Sequence, residues 1–293
     1  MDFGLILPSY RKGATVEGID GATEAVERLG WHSVFTTDHL LVEPSARSED
    51  YFEIFDAVVT LAHIAARRPR IKVGASVIVV PMRNAIVLAK ELATIDALSG
   101  GRLIAGVGSG WNKTEFDNVG EGARFHRRGA YLDETIDIWR HLWAGSSEPY
   151  EGRFHSFGEV KFGPLPAQGA NLPIWLGGRD ERALRRAGRV GDGYHSTTTS
   201  PAQYAVRVPL IRAAAEDAGR KPPVFSARIR VHFGPLETPF YQLAGTPEQM
   251  VGEIRAFAEV GLSHIAFDFV ETDPERSVAL IEKFDAEVVA AFR

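Results

Sequence analysis

The alternation of short apolar runs with longer amphipathic stretches constrains the fold of this chain more than any other feature. The apolar runs, which are rich in β-branched residues, predict eight strands at Phe3–Leu7, His32–Thr37, Ile71–Val80, Arg102–Val107, Pro173–Leu176, Gly193–Ser196, Val224–Phe233 and His264–Phe269. A helix pattern follows each of them, over about Thr15–Leu29, Phe52–Arg67, Asn84–Leu98, Tyr131–Trp143, Glu181–Ala187, Pro201–Ala218, Pro247–Val260 and Pro274–Ala291.

Strands that alternate with helices predict a parallel α/β sheet, because each helix carries the chain back to the start of the next strand. Eight such units can close a (β/α)8 barrel, or TIM barrel, which takes about 250 residues. The 293 residues of this chain therefore predict one barrel domain over residues 1–293. An open, doubly wound sheet is the alternative architecture.

Composition excludes several classes of protein and site. The chain has 33 Lys and Arg against 38 Asp and Glu, and its net charge of −5 provides no general attraction for nucleic acid. Cysteine is absent, which excludes disulfides, thiolate metal sites and cysteine nucleophiles. No apolar run reaches the length of about 18 residues that a membrane span needs, and the start Met1–Gly4 lacks the basic region of a signal peptide. We therefore expect a soluble, cytoplasmic protein.

Three irregular stretches, Leu40–Tyr51, Gly108–Arg128 and Gly145–Leu172, are longer than the usual connection of about 2–6 residues. The last stretch separates the fourth predicted helix from the fifth predicted strand, and it predicts an insertion there with short strands of its own. Active sites of such barrels lie on the face where the strands end, so long loops on that face are candidate lids.

Asp38 and His39 directly follow the second predicted strand, which would place both side chains at the mouth of a barrel. An imidazole exchanges protons near neutral pH, and a neighbouring carboxylate can orient the ring or a ligand. The alternative is that Asp38 caps the following loop and that His39 has no chemical role. Their position at a strand end favours the catalytic interpretation.

Glycines and hydroxyl residues follow the fifth and sixth predicted strands. Gly177, Gly178 and Arg179 lead directly into a helix, so backbone N–H groups and a guanidinium together predict an anion site. A glycine turn with a solvated arginine is the alternative. His195 and Ser196 lie at the end of the sixth strand, where hydroxyls either cap the next helix or bind phosphate.

The stretch Gly106–Asn112 after the fourth predicted strand resembles two known loops without matching either. Its sequence GVGSGWN has tryptophan at the last glycine position of G-x-G-x-x-G and valine at the first glycine position of G-x-S-x-G. We therefore interpret this stretch as a loop of small residues, which either forms a plain turn or lines the wall of a ring-binding site. The histidines of the chain show no paired ligand spacing, so we expect no metal site.

Several motifs occur in an order that is typical of a known family. They are Gly30–His39, Gly100–Leu103 with Gly110–Asn112, Gly163-Pro164 with Pro173–Gly178, Gly191–Tyr194 and Gly245–Glu248. Together they resemble the bacterial-luciferase-like monooxygenase superfamily of flavin and deazaflavin oxidoreductases, and most closely its coenzyme F420-dependent branch. The resemblance covers nearly the whole chain and implies a (β/α)8 barrel with an insertion after the fourth helix.

The resemblance also implies a role for each candidate residue. A flavin or deazaflavin ring is expected at the mouth, against a bulge with a cis peptide bond between Ser76 and Val77 and near the loop at Gly108. Asp38 would lie beside the polar edge of the ring, and His39 would be the catalytic acid and base. The resemblance places the cofactor phosphate at Gly177, Gly178 and Arg179, with His195, Ser196 and Thr197 nearby.

Two positions depart from the family pattern. Trp111 stands where sugar-phosphate dehydrogenases of the F420 branch carry a catalytic glutamate, and Asn112 and Glu115 are its acidic or polar neighbours in sequence. An aromatic residue expected after the Asp38-His39 pair is missing, with Glu43 near that position.

The function that follows from the resemblance is hydride transfer between coenzyme F420 and a small organic substrate. The first alternative is an FMN-dependent monooxygenase that receives reduced flavin from a separate reductase. The second is a non-catalytic flavin-binding protein on the same barrel. The family also implies a homodimer.

Overall fold

Parallel strands close into a ring in the computed structural model, which describes residues 1–45 and 48–293. In chain order, the strands of the described residues are β1 (Asp2–Ile6), β2 (Ser33–Thr36), β3 (Lys72–Ala75), β4 (Ile78–Val79), β5 (Leu103–Gly108), β6 (Tyr150–Glu151), β7 (Ser156–Phe157), β8 (Ile174–Leu176), β9 (Gly193–Thr197), β10 (Val224–Phe233), β11 (Leu243–Gly245) and β12 (His264–Asp268). The α-helices are α1 (Val16–Leu29), α2 (Ala57–Arg67), α3 (Ala85–Ser99), α4 (Lys113–Asn118), α5 (Arg128–Trp143), α6 (Glu181–Val190), α7 (Pro201–Asp217), α8 (Pro247–Glu259) and α9 (Pro274–Glu287).

Backbone pairing runs around the ring in the order β1, β2, β3, β5, β8, β9, β10 and β12, and β12 pairs with β1 again. Strand β4 continues β3 along the edge of β5, and β11 pairs with the far end of β10. Every pair in the ring is parallel, so the carboxyl ends of all its strands lie on one rim, which we term the mouth. The predicted TIM barrel is confirmed, and the doubly wound alternative is wrong.

Several predicted elements differ from the structure in their bounds; α5, for example, begins at Arg128 and not at Tyr131, and α6 ends at Val190 and not at Ala187. The third predicted strand is interrupted at the cis peptide bond between Ser76 and Val77, so β3 and β4 replace one strand. Helix α2 begins at Ala57 and not near Phe52, because the Asp56 carboxylate caps its first turn. Helix α9 ends at Glu287, and the remaining residues to Phe292 form a 3-10 turn.

The long connections contain short elements of their own. Within Gly108–Arg128 the short helix α4 is capped by the Asn112 side chain, which accepts hydrogen bonds from the backbone of Thr114 and Glu115. Strands β6 and β7 pair as an antiparallel hairpin between α5 and β8. The predicted loop Leu40–Tyr51 includes positions 46 and 47, which lie outside the described residues.

Apolar side chains fill two separate spaces. The larger core lies between the outer face of the sheet and the helices, and it includes the buried indoles of Trp139 and Trp143. A smaller cluster lies inside the ring, where Phe35 stacks on the Trp175 ring with 5.9 Å between centroids. Within the described part of the chain, no helix is long and apolar enough to cross a membrane.

Arg102 joins two helices to the ring at the end opposite the mouth. Its guanidinium donates to the carbonyl oxygens of Ala65 at 2.7 Å, Arg68 at 2.7 Å and Ile71 at 2.7 Å, and its Nε donates to that of Ser99 at 2.8 Å. The accepting carbonyls belong to the ends of α2 and α3 and to the start of β3. One side chain therefore satisfies four backbone groups that have no ladder partner at these positions.

We expect Arg102→Met to lower the free energy of unfolding by about 2–4 kcal/mol, because the carbonyls lose their charged donor. Thermal denaturation should show a fall in Tm of about 4 °C or more. Arg70→Met is the matched control, since the Arg70 side chain is 72% exposed. Equal Tm values for the two variants would contradict the structural role of Arg102.

Candidate active site

The mouth of the barrel brings together most of the residues that sequence reasoning singled out. Asp38 and His39 follow β2, Ser76 and Val77 follow β3, and Gly108 ends β5. Gly177 follows β8, so strands from separate parts of the chain place these groups on one rim. This shared position agrees with the general location of active sites in such barrels.

Asp38 is buried and is bound by other residues of the mouth. Its Oδ2 accepts a hydrogen bond of 2.8 Å from the backbone N–H of Val79, and its Oδ1 accepts one of 2.6 Å from Arg83. Arg83 also donates to Asp56 at 2.8 Å. Burial alone lowers the pKa of Arg83, but the charges of Asp38 and Asp56 outweigh it, and the pKa is raised above its usual value. Asp38 therefore fixes the backbone of β4 and holds Arg83 at the mouth.

His39 forms a buried pair with Glu115 at the mouth. Its Nδ1 lies 2.8 Å from Glu115 Oε2, and the other carboxylate oxygen accepts the backbone N–H of Leu40 at 2.5 Å. The two side chains are 7% and 2% exposed, so little solvent separates them. His39 thus has an acidic partner, Glu115, which lies four positions after Trp111 in the sequence. The carboxylate comes from the first turn of α4, three residues after its capping asparagine.

Aromatic rings also surround His39. Tyr51 packs against its imidazole with 4.0 Å between ring centroids, and Trp111 approaches edge-on at 5.9 Å. An aromatic neighbour of the histidine is therefore present, although it is not at the position near Glu43. Glu43 instead accepts a hydrogen bond of 2.8 Å from Asn112 and so connects the loop after β2 to α4. Tyr51 lies in the long connection after β2, which has no periodic sequence pattern. Sequence spacing therefore did not indicate that Tyr51 contacts His39.

The bulge after β3 shapes the wall of the mouth. The Ser76–Val77 peptide bond is cis, as the family resemblance predicts. The Val77 side chain lies between Gly108 and Gly177, where an added Cβ would stand 2.6 Å and 3.3 Å from its methyl groups. These two glycines leave room for Val77 and for no larger group on the neighbouring strands. The result is a half-buried apolar surface that fits one face of a planar ring.

The loop Gly177–Arg179 joins β8 to α6. Gly178 has φ of +131°, a conformation that favours glycine, and its added Cβ would lie 2.4 Å from the Ala183 side chain. Arg179 is exposed and donates a hydrogen bond of 3.1 Å to Thr198 Oγ1. The loop thus presents backbone and one guanidinium to solvent at the rim, which is the arrangement an anion site needs.

A cleft of about 650 Å³ adjoins this loop. It begins at Ser109, directly after β5, and at Asp180, directly after Arg179. Two carboxylates and four arginines line it; the arginines are Arg128, Arg182, Arg185 and Arg186. Arg185 pairs with Glu181 at 2.7 Å and Arg186 with Asp133 of α5 at 2.8 Å, so that, with Asp133 counted, one positive charge is in excess. The cleft is therefore electrostatically suited to an anionic group.

His195 and Ser196 lie in the barrel wall and not at the loop surface. The His195 imidazole is 3% exposed and points into the ring, where Nδ1 lies 2.7 Å from Ser226 Oγ and Nε2 lies 2.9 Å from Ser76 Oγ. Both ring nitrogens are therefore occupied inside the barrel, which leaves neither for a phosphate at the loop. Burial lowers the pKa of His195 to about 3, and the charge of Arg228 acts in the same direction.

A buried ionic cluster at the mouth was not predicted from the sequence. Asp268 accepts hydrogen bonds from Tyr10 at 2.7 Å, Arg228 at 2.9 Å and Arg11 at 3.3 Å. Arg228 also donates at 3.2 Å to the carbonyl oxygen of Ser76. Burial alone raises the pKa of Asp268, but the two guanidinium charges outweigh it, and the pKa lies well below its usual value. The cluster connects β1, β10 and β12 to the bulge.

Three comparisons place the chain among known proteins. A family model described as luciferase-like monooxygenase matches residues 1–239. An F420-dependent glucose-6-phosphate dehydrogenase of Microbacterium testaceum is 32% identical over 197 residues, which cover 66% of this chain and 57% of that protein. An FMNH2-dependent dimethylsulfone monooxygenase of Pseudomonas putida is 34% identical over 163 residues, which cover 55% and 45%.

A similar fold occurs among solved structures. The coenzyme F420-dependent tetrahydromethanopterin reductase of Methanopyrus kandleri matches with a TM-score of 0.80, and the match covers 100% of this chain and 99% of the reductase. The sequence identity over this match is 18%, so the likeness shows the barrel fold alone.

The buried imidazole of His195 makes stability depend on pH. Its pKa is about 3 in the folded chain and 6.5 ordinarily, so between these values the unfolded chain binds a proton that the folded chain does not. The contribution of the neutral His195 to the free energy of unfolding is therefore fully present above pH 6.5, and it is lost as the pH falls toward about 3. We expect His195→Gln to make this decline shallower in urea denaturation series. His126→Gln is the control, because His126 is exposed. An equal dependence of the free energy of unfolding on pH in the wild type and in His195→Gln would refute this linkage.

Proposed function

This chain belongs to the luciferase-like monooxygenase family, and on that premise we propose that it transfers a hydride between coenzyme F420 and a small organic substrate. Its relatives include enzymes named for F420 and one named for FMNH2. Support for hydride transfer over flavin-dependent oxygenation therefore depends on the residues at the mouth.

The buried pair of His39 and Glu115 is the observation that carries the proposal. Reduction of a carbonyl by hydride requires one proton, and oxidation of an alcohol requires a base for the same proton. Glu115 occupies Nδ1 of His39 at 2.8 Å, so Nε2 is the ring nitrogen that we assign to the reactant. His39 is therefore suited to donate or accept that proton at Nε2.

Neighbouring groups hold this pair in place. The backbone N–H of Leu40 fixes the second oxygen of Glu115, and the ring of Tyr51 covers one face of the imidazole. Ring orientation is thus set from two sides, while the aromatic contact limits access of water. Proton transfer by a positioned side chain of this kind typically contributes about 10²–10⁴-fold to the rate.

The wall opposite the pair fits a planar ring. Val77, framed by Gly108 and Gly177, would lie against one face of the ring, and Asp38 holds β4 and Arg83 at its edge. When bound, the deazaflavin supplies the hydride, because its ring accepts and releases two electrons together with one hydrogen. The chain contributes orientation, exclusion of water and the proton.

The anionic end of the coenzyme would lie at the loop Gly177–Arg179. Backbone at the start of α6 and the exposed guanidinium of Arg179 provide the charge that a phosphate needs. The arginine-lined cleft beside this loop extends the positive surface beyond a single phosphate. These features support an elongated anionic coenzyme.

An FMN-dependent monooxygenase is the second candidate, favoured by the relative from Pseudomonas putida. That reaction would use the same ring wall and phosphate loop, and a separate reductase would supply reduced flavin. A non-catalytic flavin-binding protein needs no proton donor, so the buried His39 and Glu115 pair argues against it.

Parallel titrations of the purified protein with coenzyme F420 and with FMN test the choice of coenzyme. We expect F420 to bind at least about tenfold more tightly, which corresponds to about 1.4 kcal/mol, because the positive surface extends past the phosphate loop. Calorimetry or fluorescence quenching would measure both dissociation constants. Tighter binding of FMN would favour the monooxygenase.

We expect His39→Asn and Glu115→Gln to reduce turnover by roughly 10²-fold and about tenfold respectively, with coenzyme affinity close to that of the wild type. The first variant removes the proton carrier, and the second keeps a hydrogen-bonding group beside Nδ1 but removes the carboxylate that orients the imidazole. Turnover would be followed with any alcohol or carbonyl compound that the wild type accepts. His63→Asn is the control, since His63 lies on the outer helix α2, where its imidazole hydrogen-bonds to Asp20 of α1. Wild-type turnover in His39→Asn would exclude His39 as the acid and base.

A further inference from the structure

Five buried side chains form a continuous hydrogen-bonded chain through the inside of the barrel. Ser33 Oγ lies 2.8 Å from His264 Nε2, and His264 Nδ1 lies 2.7 Å from Ser226 Oγ. Ser226 Oγ also lies 2.7 Å from His195 Nδ1, and His195 Nε2 lies 2.9 Å from Ser76 Oγ. This His–Ser chain runs from the start of β2, at the base of the ring, to the bulge at the mouth.

Both imidazoles of the His–Ser chain are neutral at ordinary pH. Burial lowers the pKa of His264 well below its usual value, and the nearby His195, His32 and Lys72 act in the same direction. The pKa of His195 is lowered to about 3, first by burial and then by Arg228. Each ring therefore carries one N–H and one unprotonated nitrogen.

Ser226 forces the two imidazoles into opposite tautomers. Its single hydroxyl proton can be donated to only one of the two Nδ1 atoms that contact Oγ, and among the described residues these two atoms are its only partners. The other Nδ1 then has to be protonated and donate to Oγ, since two lone pairs facing each other at 2.7 Å would repel. If both Nδ1 atoms were protonated and donated to Oγ, the proton of this fully buried hydroxyl would have no acceptor, which is costly. When His264 is protonated on Nδ1, His195 is protonated on Nε2, and the reverse arrangement exchanges both.

The base of the His–Ser chain favours one of the two arrangements. Ser33 is fully buried, and among the described residues its hydroxyl contacts only His264 Nε2. If His264 donated to Ser33, the Ser33 proton would have no acceptor, and a buried donor without an acceptor is costly. If Ser33 donates to His264, every proton in the chain has an acceptor up to Ser76. The favoured direction is therefore from the base toward the mouth.

We propose that the His–Ser chain makes Ser76 Oγ a hydrogen-bond donor to the ligand at the mouth. His195 Nε2–H donates to Ser76, so the Ser76 hydroxyl proton points away from the chain. The backbone of Ser76 is already engaged, because its N–H donates to Thr36 at 2.7 Å and its carbonyl accepts from Arg228. The matching ligand group is an acceptor, a carbonyl oxygen or an unprotonated ring nitrogen. Only this last step rests on the proposed function; the four other residues are positioning residues.

Nitrogen NMR of protein labelled with ¹⁵N-histidine tests the direction of the chain without any ligand. Protonated and unprotonated ring nitrogens have well-separated shifts, and the variants His195→Gln and His264→Gln assign the signals. We expect His264 to be protonated on Nδ1 and His195 on Nε2 near neutral pH. The same tautomer in both rings, the reversed pair, or a doubly protonated ring would overturn the proposal.

Variants at Ser226 test whether its hydroxyl sets the tautomers. In Ser226→Ala we expect His195 to show both tautomers, whereas Ser226→Thr keeps the hydroxyl and should keep the wild-type pattern. Thr135→Val is the matched control, because Thr135 is fully buried in α5 and its hydroxyl has no hydrogen-bond partner among the described residues. An unchanged His195 tautomer in Ser226→Ala would refute the role of Ser226.

Titration with oxidised coenzyme F420 tests the donor itself. We expect Ser76→Ala to weaken binding by about five- to tenfold and Ser226→Ala by at least about twofold, with wild-type affinity in Ser226→Thr and Thr135→Val. Wild-type affinity in Ser76→Ala would overturn the assignment of Ser76 as donor. If the wild type does not bind F420, the proposed function fails, while the tautomer measurement still decides the direction of the chain.

Discussion

Hydrogen bonding along both edges of β10 closes the sheet, and the arrangement of the mouth depends on this closure. β10 pairs with β9 over residues 224–228 and with β12 over residues 226–230. Because all ring strands are parallel, closure brings their carboxyl ends onto one rim. The pairing of β1 with β12 in the same ring brings Tyr10 and Asp268, which are 258 positions apart in the chain, within a hydrogen bond of 2.7 Å. In an open sheet, His195 on β9 and Ser226 on β10 would lose the register that joins them.

The inside of this ring is more polar than the branched apolar side chains that usually fill such barrels. Imidazoles and hydroxyls occupy positions next to Phe35, whose ring stacks on His195 with 5.3 Å between centroids. Buried polar groups are tolerated only when they are satisfied, and each nitrogen of His195 and His264 has a partner within 2.9 Å. These hydrogen bonds offset the free energy that burial of the polar groups costs, and they fix the orientation of the side chains at the bulge. Arg228 has a comparable effect from β10, since it holds the Ser76 carbonyl and Asp268 together.

Different parts of the fold supply the His39–Glu115 pair and the apolar wall around Val77. Strand ends carry His39, Val77 and Gly108, whose positions follow from the rigid ring. Glu115 comes from α4, and Tyr51 comes from the loop after β2, so both depend on irregular connections. The hydrogen bond between Asn112 and Glu43 joins these two connections beside His39. Changes in the long loops can therefore alter access to the imidazole without altering the wall against which a ring would lie.

Local chemistry in the sequence determined the strands, the helices and the barrel, because hydrophobic periodicity and helix caps act over a few residues. It also placed Asp38, His39, Gly108 and Gly177 at strand ends, which is where the structure has them. The partner of His39 was not readable, since Glu115 lies 76 positions away and reaches Nδ1 only after α4 folds beside the mouth. The inward orientation of His195 was equally hidden, because successive side chains of a strand alternate between the two faces and the register with β10 selects its neighbour. Tertiary structure decided these contacts because they depend on strand register and helix placement, to which residues distant in the chain contribute.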